Sequence, residues 1–508
     1  MIKNIFLSSM LLLMLGQSTA FAAGGGSTAS ASKSSLSHTA AELGPSYSKE
    51  EMPYAPSFIT VKTDGHKELT PELWTDPEIC AQCHPRQFEG WNGSMHSNAF
   101  NDPVFQALWA IGEKETGGKL INHCGACHSP IGVATGTIKF NPDEGLHGKF
   151  TAPPIAAKGI SCDVCHTISG TNLNKTKVME HGNSSIIMEP GNVKRANLKD
   201  AVSPFHETES SPIHQSSEFC GNCHNIFHPD NNFPVEHTYD EWKYSIYAQN
   251  DIQCMDCHMV PVDTANRVAD ELKRPKDLKN TGLGGFAGIG GPYRDIVHDH
   301  AFVGGNAVVT EVMNGEKTGS SEEAIKRLKS VASLEMSIQP QDGMLHQLTV
   351  RVNNNRAGHN LPTSLTETRQ IWLEVLVLGE KGQVLLRNGS LDEHNEVPKG
   401  TVIFNSEAVD TNGKHTEKPW EVTRFLRSNT IPPKGFKEAN YAFNLPKDSK
   451  TIKVISKLHY RSFSQGLADI LLGKDAIHVP SVNMVTNEHS YVVSNGQVKT
   501  ASIDASHH

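Results

Sequence analysis

The stretch Cys80-Ala81-Gln82-Cys83-His84 decides how this chain folds, because its C-x-x-C-H pattern occurs five times. The other copies are Cys124-Gly125-Ala126-Cys127-His128, Cys162-Asp163-Val164-Cys165-His166, Cys220-Gly221-Asn222-Cys223-His224 and Cys254-Met255-Asp256-Cys257-His258. Together they use all ten cysteines of the 508-residue chain. Two cysteines with this spacing can form thioethers to the two vinyl groups of one haem, and the next histidine then binds the iron.

A single C-x-x-C-H sequence would also suit a zinc site, a thioredoxin-like redox pair or structural disulfides. Five copies with no cysteine left over favour haem attachment. We therefore predict five covalently bound haem c groups. The attachment residues are Cys80, Cys83, Cys124, Cys127, Cys162, Cys165, Cys220, Cys223, Cys254 and Cys257, and the proximal iron ligands are His84, His128, His166, His224 and His258.

The N-terminal residues 1–22 have the pattern of a secretory signal peptide. Lys3 is followed by an apolar stretch, Ile5–Leu15, which is too short to span a bilayer, and Ala20-Phe21-Ala22 fits a cleavage site. The alternative is an anchor helix that stays attached. Since no other stretch is long and apolar enough to span a membrane, we expect a periplasmic or extracellular protein of a Gram-negative bacterium, exported by the Sec route.

The composition suits a chain whose core is built partly from cofactor. Hydrophobic residues make up 37%, which is low for this length, and porphyrin rings would supply the missing apolar volume. The formal net charge of -9 argues against nucleic acid or anionic lipid as a partner. It weakly favours a positively charged redox partner, although simple solubility explains it equally well.

The chain divides into a haem-binding part and a part without cysteine. We predict a Gly/Ser-rich flexible linker at 23–55, a five-haem domain at 56–319, a β-sandwich domain at 320–490 and a polar tail at 491–508. The fold class is therefore α+β, with a mostly helical and irregular haem module followed by a β-sandwich.

Local signals place the helices of the haem module. Asp76-Pro77 and Asp102-Pro103 each start a helix, and the second ends at Gly117-Gly118. Thr238 to Glu241 has the pattern of a capping box, and the glycine-rich stretch 282–291 is predicted to be a loop.

Beyond residue 320 the apolar residues alternate with a period of two, which predicts strands. After a short helix opened by a capping box at Ser320 to Glu323, the alternating runs lie at 334–338, 348–352, 373–377, 384–385, 402–404, 441–443 and 452–454. Roughly seven or eight strands follow from this pattern, which is enough for a β-sandwich.

The histidines outside the motifs are candidates for the second axial position of each iron. An imidazole there gives a closed electron carrier, whereas an open position lets a small molecule bind. We predict distal ligands among His96, His206, His214, His300 and His359. For each of them the alternative is an ordinary surface or hydrogen-bonded histidine. His359 is distinctive because it belongs to a turn between two strands of the predicted β domain.

Further candidates are weaker. The reserve histidines are His181, His228, His237 and His298, and methionine ligation is open to Met95, Met179 and Met259.

The chain resembles the multihaem cytochromes related to cytochrome c-554, a tetrahaem electron carrier of ammonia oxidisers. The residues that carry the resemblance are Cys80–His84 with Trp91 and Ser94-Met95-His96, then Gly159–His166 and Thr238–Trp242. In that family the later histidine of the opening is a distal ligand, which the resemblance implies for His96. The stretch Ala357–Thr363 with Arg369 and Trp372-Leu373 is similar to the β domain appended to many larger bacterial multihaem cytochromes.

The chain departs from the tetrahaem carrier by its fifth motif and its β domain, and it lacks the C-x-x-C-K motif of pentahaem nitrite reductases. Three functions remain open. The first is an exported electron carrier of an anaerobic or extracellular respiratory chain, with a quinol-linked or outer-membrane cytochrome as redox partner. The second is an oxidoreductase acting on a small nitrogen or sulfur species at one open haem. The third is a homo-oligomer forming a conductive filament.

Overall fold

The computed structural model describes residues 41–42, 59–63, 69–173, 180–314, 319–494 and 497–500. These residues belong to one compact unit. The predicted signal peptide, nearly all of the predicted linker, Met179 and residues 501–508 of the predicted tail lie outside the described residues.

Short helices dominate the first half of the described chain. They are α1 (Pro77–Ala81), α2 (Pro85–Asn92), α3 (Pro103–Glu115), α4 (Ile121–His128), α5 (Pro130–Ala134), α6 (Cys162–His166), α7 (Ser217–Gly221), α8 (Thr238–Lys243), α9 (Ile246–Gln249), α10 (Met255–His258), α11 (Val262–Glu271), α12 (Val309–Asn314), α13 (Gly319–Ser330) and α14 (Gln465–Leu472).

Two helix starts predicted from sequence are confirmed. The Asp76 side chain accepts a hydrogen bond from Glu78 N at the start of α1. Asp102 likewise accepts bonds from Val104 N and Phe105 N at the start of α3. In both helices proline occupies the first position, where its missing N–H costs nothing.

The haem region also contains short strands that the sequence reading did not predict. They are β1 (Ala41–Glu42), β2 (Thr60–Thr63), β3 (Lys139–Asn141), β4 (Lys149–Thr151), β5 (Ile168–Thr171), β6 (Ile186–Met188), β7 (Val193–Ala196), β8 (Glu207–Ser210), β9 (Ile226–Phe227), β10 (Pro234–Glu236), β11 (Gly285–Phe286) and β12 (Tyr293–Arg294). The prediction that the whole stretch 282–291 is a loop is wrong for Gly285 and Phe286, which form β11 and pair with β12.

The second half is built from longer strands. They are β13 (Ala332–Pro340), β14 (Leu345–Asn354), β15 (Gln370–Gly379), β16 (Val384–Asn388), β17 (Ile403–Phe404), β18 (Ser406–Val409), β19 (Arg424–Ser428), β20 (Phe436–Asn444), β21 (Thr451–Arg461), β22 (Val482–Ser494) and β23 (Gln497–Thr500). One sheet has the order β13-β14-β20, and a second has the order β16-β15-β21-β22-β23 with β17 also paired to β15.

The two sheets share one hydrophobic core. Val350 of β14 and Phe443 of β20 belong to the same buried cluster as Leu373 of β15, Val454 of β21 and Met484 of β22. Alternate residues along β14 are buried, as the period of two predicted. All seven alternating runs named above overlap strands of the structure, so this part of the prediction is confirmed.

Some features of this half differ from expectation. Strands β18, β19, β22 and β23 and helix α14 were not predicted. Strand β23 pairs with β22, so the sheet continues beyond residue 490, where we expected the polar tail to begin. Strand β19 is mostly exposed and polar, so its sequence gives a weak alternating pattern.

The β half contacts the haem half directly. Arg356 forms an ion pair with Asp270 of α11 at 2.8 Å, and Lys418 pairs with Glu115 of α3 at 2.6 Å. Trp420 lies against Gly112 of α3 so closely that a Cβ there would be 2.9 Å from its ring. Within the described ranges, no helix is both long and apolar enough to cross a bilayer.

Candidate haem-binding site

One cavity of about 1440 Å³, partly open to solvent, is lined by all of the predicted attachment residues. Its lining includes all ten cysteines and all five motif histidines, together with His96, His206, His214, His300 and His359. All ten cysteines are free thiols, so none is consumed by a structural disulfide. A shared cavity lined by free thiols and imidazoles fits several closely spaced haems.

Each motif histidine uses its Nδ1 atom for a protein contact. Four of them donate to backbone carbonyls, at 2.6 Å for His84 to Ala287, 2.8 Å for His128 to Ala99, 2.7 Å for His166 to Arg195 and 2.7 Å for His258 to Val303. His224 instead contacts a carboxylate, Glu236 Oε1, at 3.3 Å. These bonds fix the tautomer and leave Nε2 available for iron, as expected of a metal-binding histidine.

Burial keeps most of these imidazoles neutral, which iron binding requires. It lowers the pKa of His128 to about 4 and that of His258 to about 3. Burial also acts to lower the pKa of His224, but the Glu236 carboxylate outweighs it and raises the value to about 9.

Four motif histidines face another imidazole at a nearly constant distance. The ring centres are 6.3 Å apart for His84 and His206, 6.3 Å for His224 and His96, and 6.1 Å for His258 and His359. His166 has two such neighbours, His214 at 6.1 Å and His300 at 6.2 Å. Two rings that bind one first-row metal, each at roughly 2 Å through a nitrogen, have centres about this far apart.

The two neighbours of His166 differ in how they are held. His214 places its Nε2 3.1 Å from the carbonyl oxygen of Cys165, the residue next to His166 in the motif. That bond draws His214 towards the backbone that carries His166. No such bond from His300 to the motif is seen among the described residues, while the buried Nδ1 atoms of both histidines have no hydrogen-bond partner there. Since one iron has one position opposite His166, His300 suits it better.

The ring that stacks on His128 is a phenylalanine. The rings of His128 and Phe105 have centres 3.4 Å apart and planes 4° from parallel. Phe105 is fixed near the N-terminus of α3 by the Asp102 cap, so an apolar ring occupies the space beside His128. The five predicted distal histidines are therefore distributed over four of the five motifs.

The reserve candidates have other contacts. His228 donates Nε2 to the carbonyl of Trp420, and its Nδ1 accepts from Asp230 N, so both ring nitrogens are used. His181 contacts Asn222 and His237 contacts Glu241. Met95 packs in an apolar cluster with residues of α3 and α14. His298 lines the cavity with a buried Nε2 that has no partner.

Contacts between motifs place the attachment sites next to each other. The Cys80 and Cys162 thiols are close enough to shift each other's pKa, and so are the Cys220 and Cys254 thiols. Cys127 Sγ lies 3.9 Å from the carbonyl oxygen of Cys223. Cys165 interacts electrostatically with Cys223. The fourth motif, Cys220–His224, is thus adjacent to the second, third and fifth.

Three buried glutamates of this region, Glu236, Glu241 and Glu367, were not predicted from sequence. Burial raises the pKa of Glu367 to about 8 and that of Glu241 to about 7. Glu236 is equally buried, yet hydrogen bonds from His224 and Ser364 and the charge of Arg369 lower its pKa. Glu236 and Arg369 are 133 positions apart in the printed numbering, and no local pattern links them.

The prediction of a capping box at Thr238 and Glu241 is wrong. The residue before α8 is His237, and Thr238 is the first helical residue. Its hydroxyl meets Thr363 at 2.8 Å, while Glu241 accepts bonds from Thr363 at 2.6 Å and from Asn360 N at 3.1 Å. Both side chains therefore bind the segment that carries His359 rather than their own helix.

Two comparisons with known proteins both find similarity to c-type cytochromes. Residues 79–167, which include the first three motifs, match the family described as cytochrome c554 and c-prime. The crystal structure of a penta-heme cytochrome c552 from Thermochromatium tepidum is similar, with a TM-score of 0.53 and 17% sequence identity over 82% of this chain and 99% of that one. The X-ray structure of Northeast Structural Genomics Consortium target SoR45 covers 36% of this chain at a TM-score of 0.17, which supports no argument.

The five motifs, the shared cavity and these similarities support a multihaem c-type cytochrome with mixed helices and sheets that binds haem c covalently. Over residues 79–167 the chain is similar to the cytochrome c554 and c-prime family.

Proposed function

We propose that the chain is an exported pentahaem cytochrome that transfers electrons between redox partner proteins. The observation that carries this proposal is the single cavity that all five motifs share, with contacts from one motif to the next. Haem bound there supplies reversible one-electron chemistry. The chain's own residues space the groups, exclude water and close the axial positions.

The number of five rests on the five complete motifs and on a similar fold whose name includes five haems. In the proposed ligand set His84 pairs with His206, His166 with His300, His224 with His96, and His258 with His359. Export to the periplasm or cell surface, a respiratory context, and a β-sandwich spanning residues 320–490 belong to the same proposal. The shared core of the two sheets supports the sandwich.

One observation favours a second function, reaction of a small molecule at the second motif. His128 is oriented by the bond from its Nδ1 to the carbonyl oxygen of Ala99, and its ring stacks on the apolar ring of Phe105. An axial position without a protein ligand would admit a small nitrogen or sulfur species.

Electron paramagnetic resonance of the oxidised protein tests both functions. Four low-spin signals and one high-spin signal are expected if His128 alone lacks a partner. Carbon monoxide added to the reduced protein should then bind at one haem in five. Five low-spin signals would remove the second function and leave electron transfer, whereas several high-spin signals would contradict the proposed ligand pairs.

A further inference from the structure

The acceptor of the Nδ1 proton distinguishes the fourth motif from the other four. His84, His128, His166 and His258 all donate to neutral backbone carbonyls. His224 is bonded to Glu236, the last residue of strand β10. The Glu236 side chain is only 10% exposed. A carboxylate on Nδ1 makes an imidazole a more basic ligand than a carbonyl does, and such second-shell bonding tunes a bound metal.

The β half of the chain holds this carboxylate in place. Ser364 and the positive charge of Arg369 both lower the pKa of Glu236 and so favour its charged form. Arg369 is itself anchored by a 2.8 Å bond to the carbonyl oxygen of Ser462. The residues that orient Glu236 therefore come from the segment between β14 and β15.

The position of the fourth motif gives this contact consequences for its neighbours. Cys223 adjoins Cys127 of the second motif, Cys220 adjoins Cys254 of the fifth, and Cys165 of the third interacts with Cys223. A change at His224 therefore acts next to the attachment sites of the second, third and fifth motifs.

We propose that Glu236 is a positioning residue that lowers the reduction potential of the haem held by Cys220, Cys223 and His224. Its negative charge, delivered through the His224 imidazole, favours the oxidised iron. The β half contributes to electron transfer by fixing Glu236 through Ser364. This inference rests on the proposed function, because it requires haem at the fourth motif.

The test is a spectroelectrochemical titration of the holoprotein with Glu236→Gln. Glutamine can still accept the Nδ1 hydrogen bond but carries no charge, so one of the five potentials should rise while the other four move little. Electron paramagnetic resonance should still show the His224 and His96 pair as low-spin. Five unchanged potentials in a variant with five haems would overturn the inference.

The control is Glu374→Gln, which removes the charge of a carboxylate that is bonded at 2.9 Å to His459, a histidine outside the cavity lining. At about pH 8 no single potential should shift as it does in Glu236→Gln. A shift of equal size in both variants would show a general charge effect and would also overturn the inference.

A second variant gives an effect of opposite sign. Ser364→Ala removes a donor from Glu236, which leaves the carboxylate a stronger acceptor for His224, so the same potential should fall. If Glu236→Gln fails to mature, an unchanged potential in Ser364→Ala overturns the inference. Parent protein without haem at Cys220 and Cys223 would instead overturn the proposed function itself.

Discussion

A histidine can bind iron only when one ring nitrogen is free and directed at the metal. His359 meets this condition because its Nδ1 contacts the carbonyl oxygen of Asn360 at 2.9 Å, which leaves Nε2 free towards the cavity. Its ring is 15° from parallel to that of His258. His228 lines the same cavity but uses both nitrogens elsewhere. Hydrogen bonding, rather than proximity alone, therefore separates ligand candidates from other histidines.

His359→Ala should convert the haem at His258 from low-spin to high-spin, because no second imidazole remains opposite it. The measurement is electron paramagnetic resonance of the oxidised protein, supported by carbon monoxide binding after reduction. His489→Ala, a change in β22 of the same half, is the control and should leave the spectra unchanged. Identical spectra in both variants would make His359 a turn residue only.

His300→Ala and His214→Ala should differ at the haem of the third motif. We expect a new high-spin signal in His300→Ala and none in His214→Ala, because His214 is held by the Cys165 carbonyl. The comparison of the two spectra decides between them. The reverse result would assign His214 as the ligand.

Single elements carry the ligands into the cavity. The segment 355–369 leaves β14 and returns at β15, and it presents His359, Thr363, Ser364 and Arg369 to the haem half. Because both flanking strands are packed in the shared core of the two sheets, the ends of this segment are fixed. A loop on a rigid sheet can then position a ligand accurately.

Leu373→Ala in β15 should lower the free energy of unfolding by about 2–5 kcal/mol, because the side chain is fully buried and the substitution leaves a cavity. Chemical denaturation followed by circular dichroism measures the change. The control is Val384→Ala in β16, whose side chain is 51% exposed. That variant should stay within about 0.5 kcal/mol of the parent. Equal losses would contradict the assignment of Leu373 to the core.

Across the protein, buried acids and apolar cavity walls are combined in one compact unit. Glu367 is 5% exposed, and neither carboxylate oxygen has a hydrogen-bond partner. Burial raises the pKa of Glu367. The charge of Arg369 partly offsets this increase, whereas the charges of Glu417 and Glu236 add to it. The group therefore keeps its proton at pH values where an unfolded chain has lost it.

Glu367→Gln should reduce the loss of stability as pH rises. Burial raises the folded pKa from 4.5 to about 8, so over this range the folded chain binds a proton that the unfolded chain does not. Stability then falls with increasing pH, and it does so less in the variant. Denaturation at about pH 5 and about pH 8 measures the difference. Glu393→Gln, at an exposed site, should follow the parent, and a slope in Glu367→Gln equal to the parent's would contradict the prediction.

The mass of the mature protein should exceed that of the processed polypeptide by five haems, on the order of 3 kDa, because the five motifs exhaust the cysteines. Intact mass spectrometry of protein from a host with full cytochrome maturation measures it. A mass corresponding to four haems or fewer would contradict the prediction.

The sequence by itself determined the cofactor class, because C-x-x-C-H is a local pattern whose chemistry needs only adjacent residues. It also determined the helix starts at Asp76 and Asp102 and the alternating strands after residue 330, since capping and strand periodicity are local as well. Those predictions required no knowledge of distant contacts.

Only the tertiary structure decided which histidine faces which motif. His96 lies opposite His224, although it follows the first motif in sequence. Glu236 and Ser364 meet only because the segment between β14 and β15 folds back onto the haem half. The two histidines of each proposed axial pair are more than a hundred positions apart in sequence, and packing rather than local pattern brings such residues together.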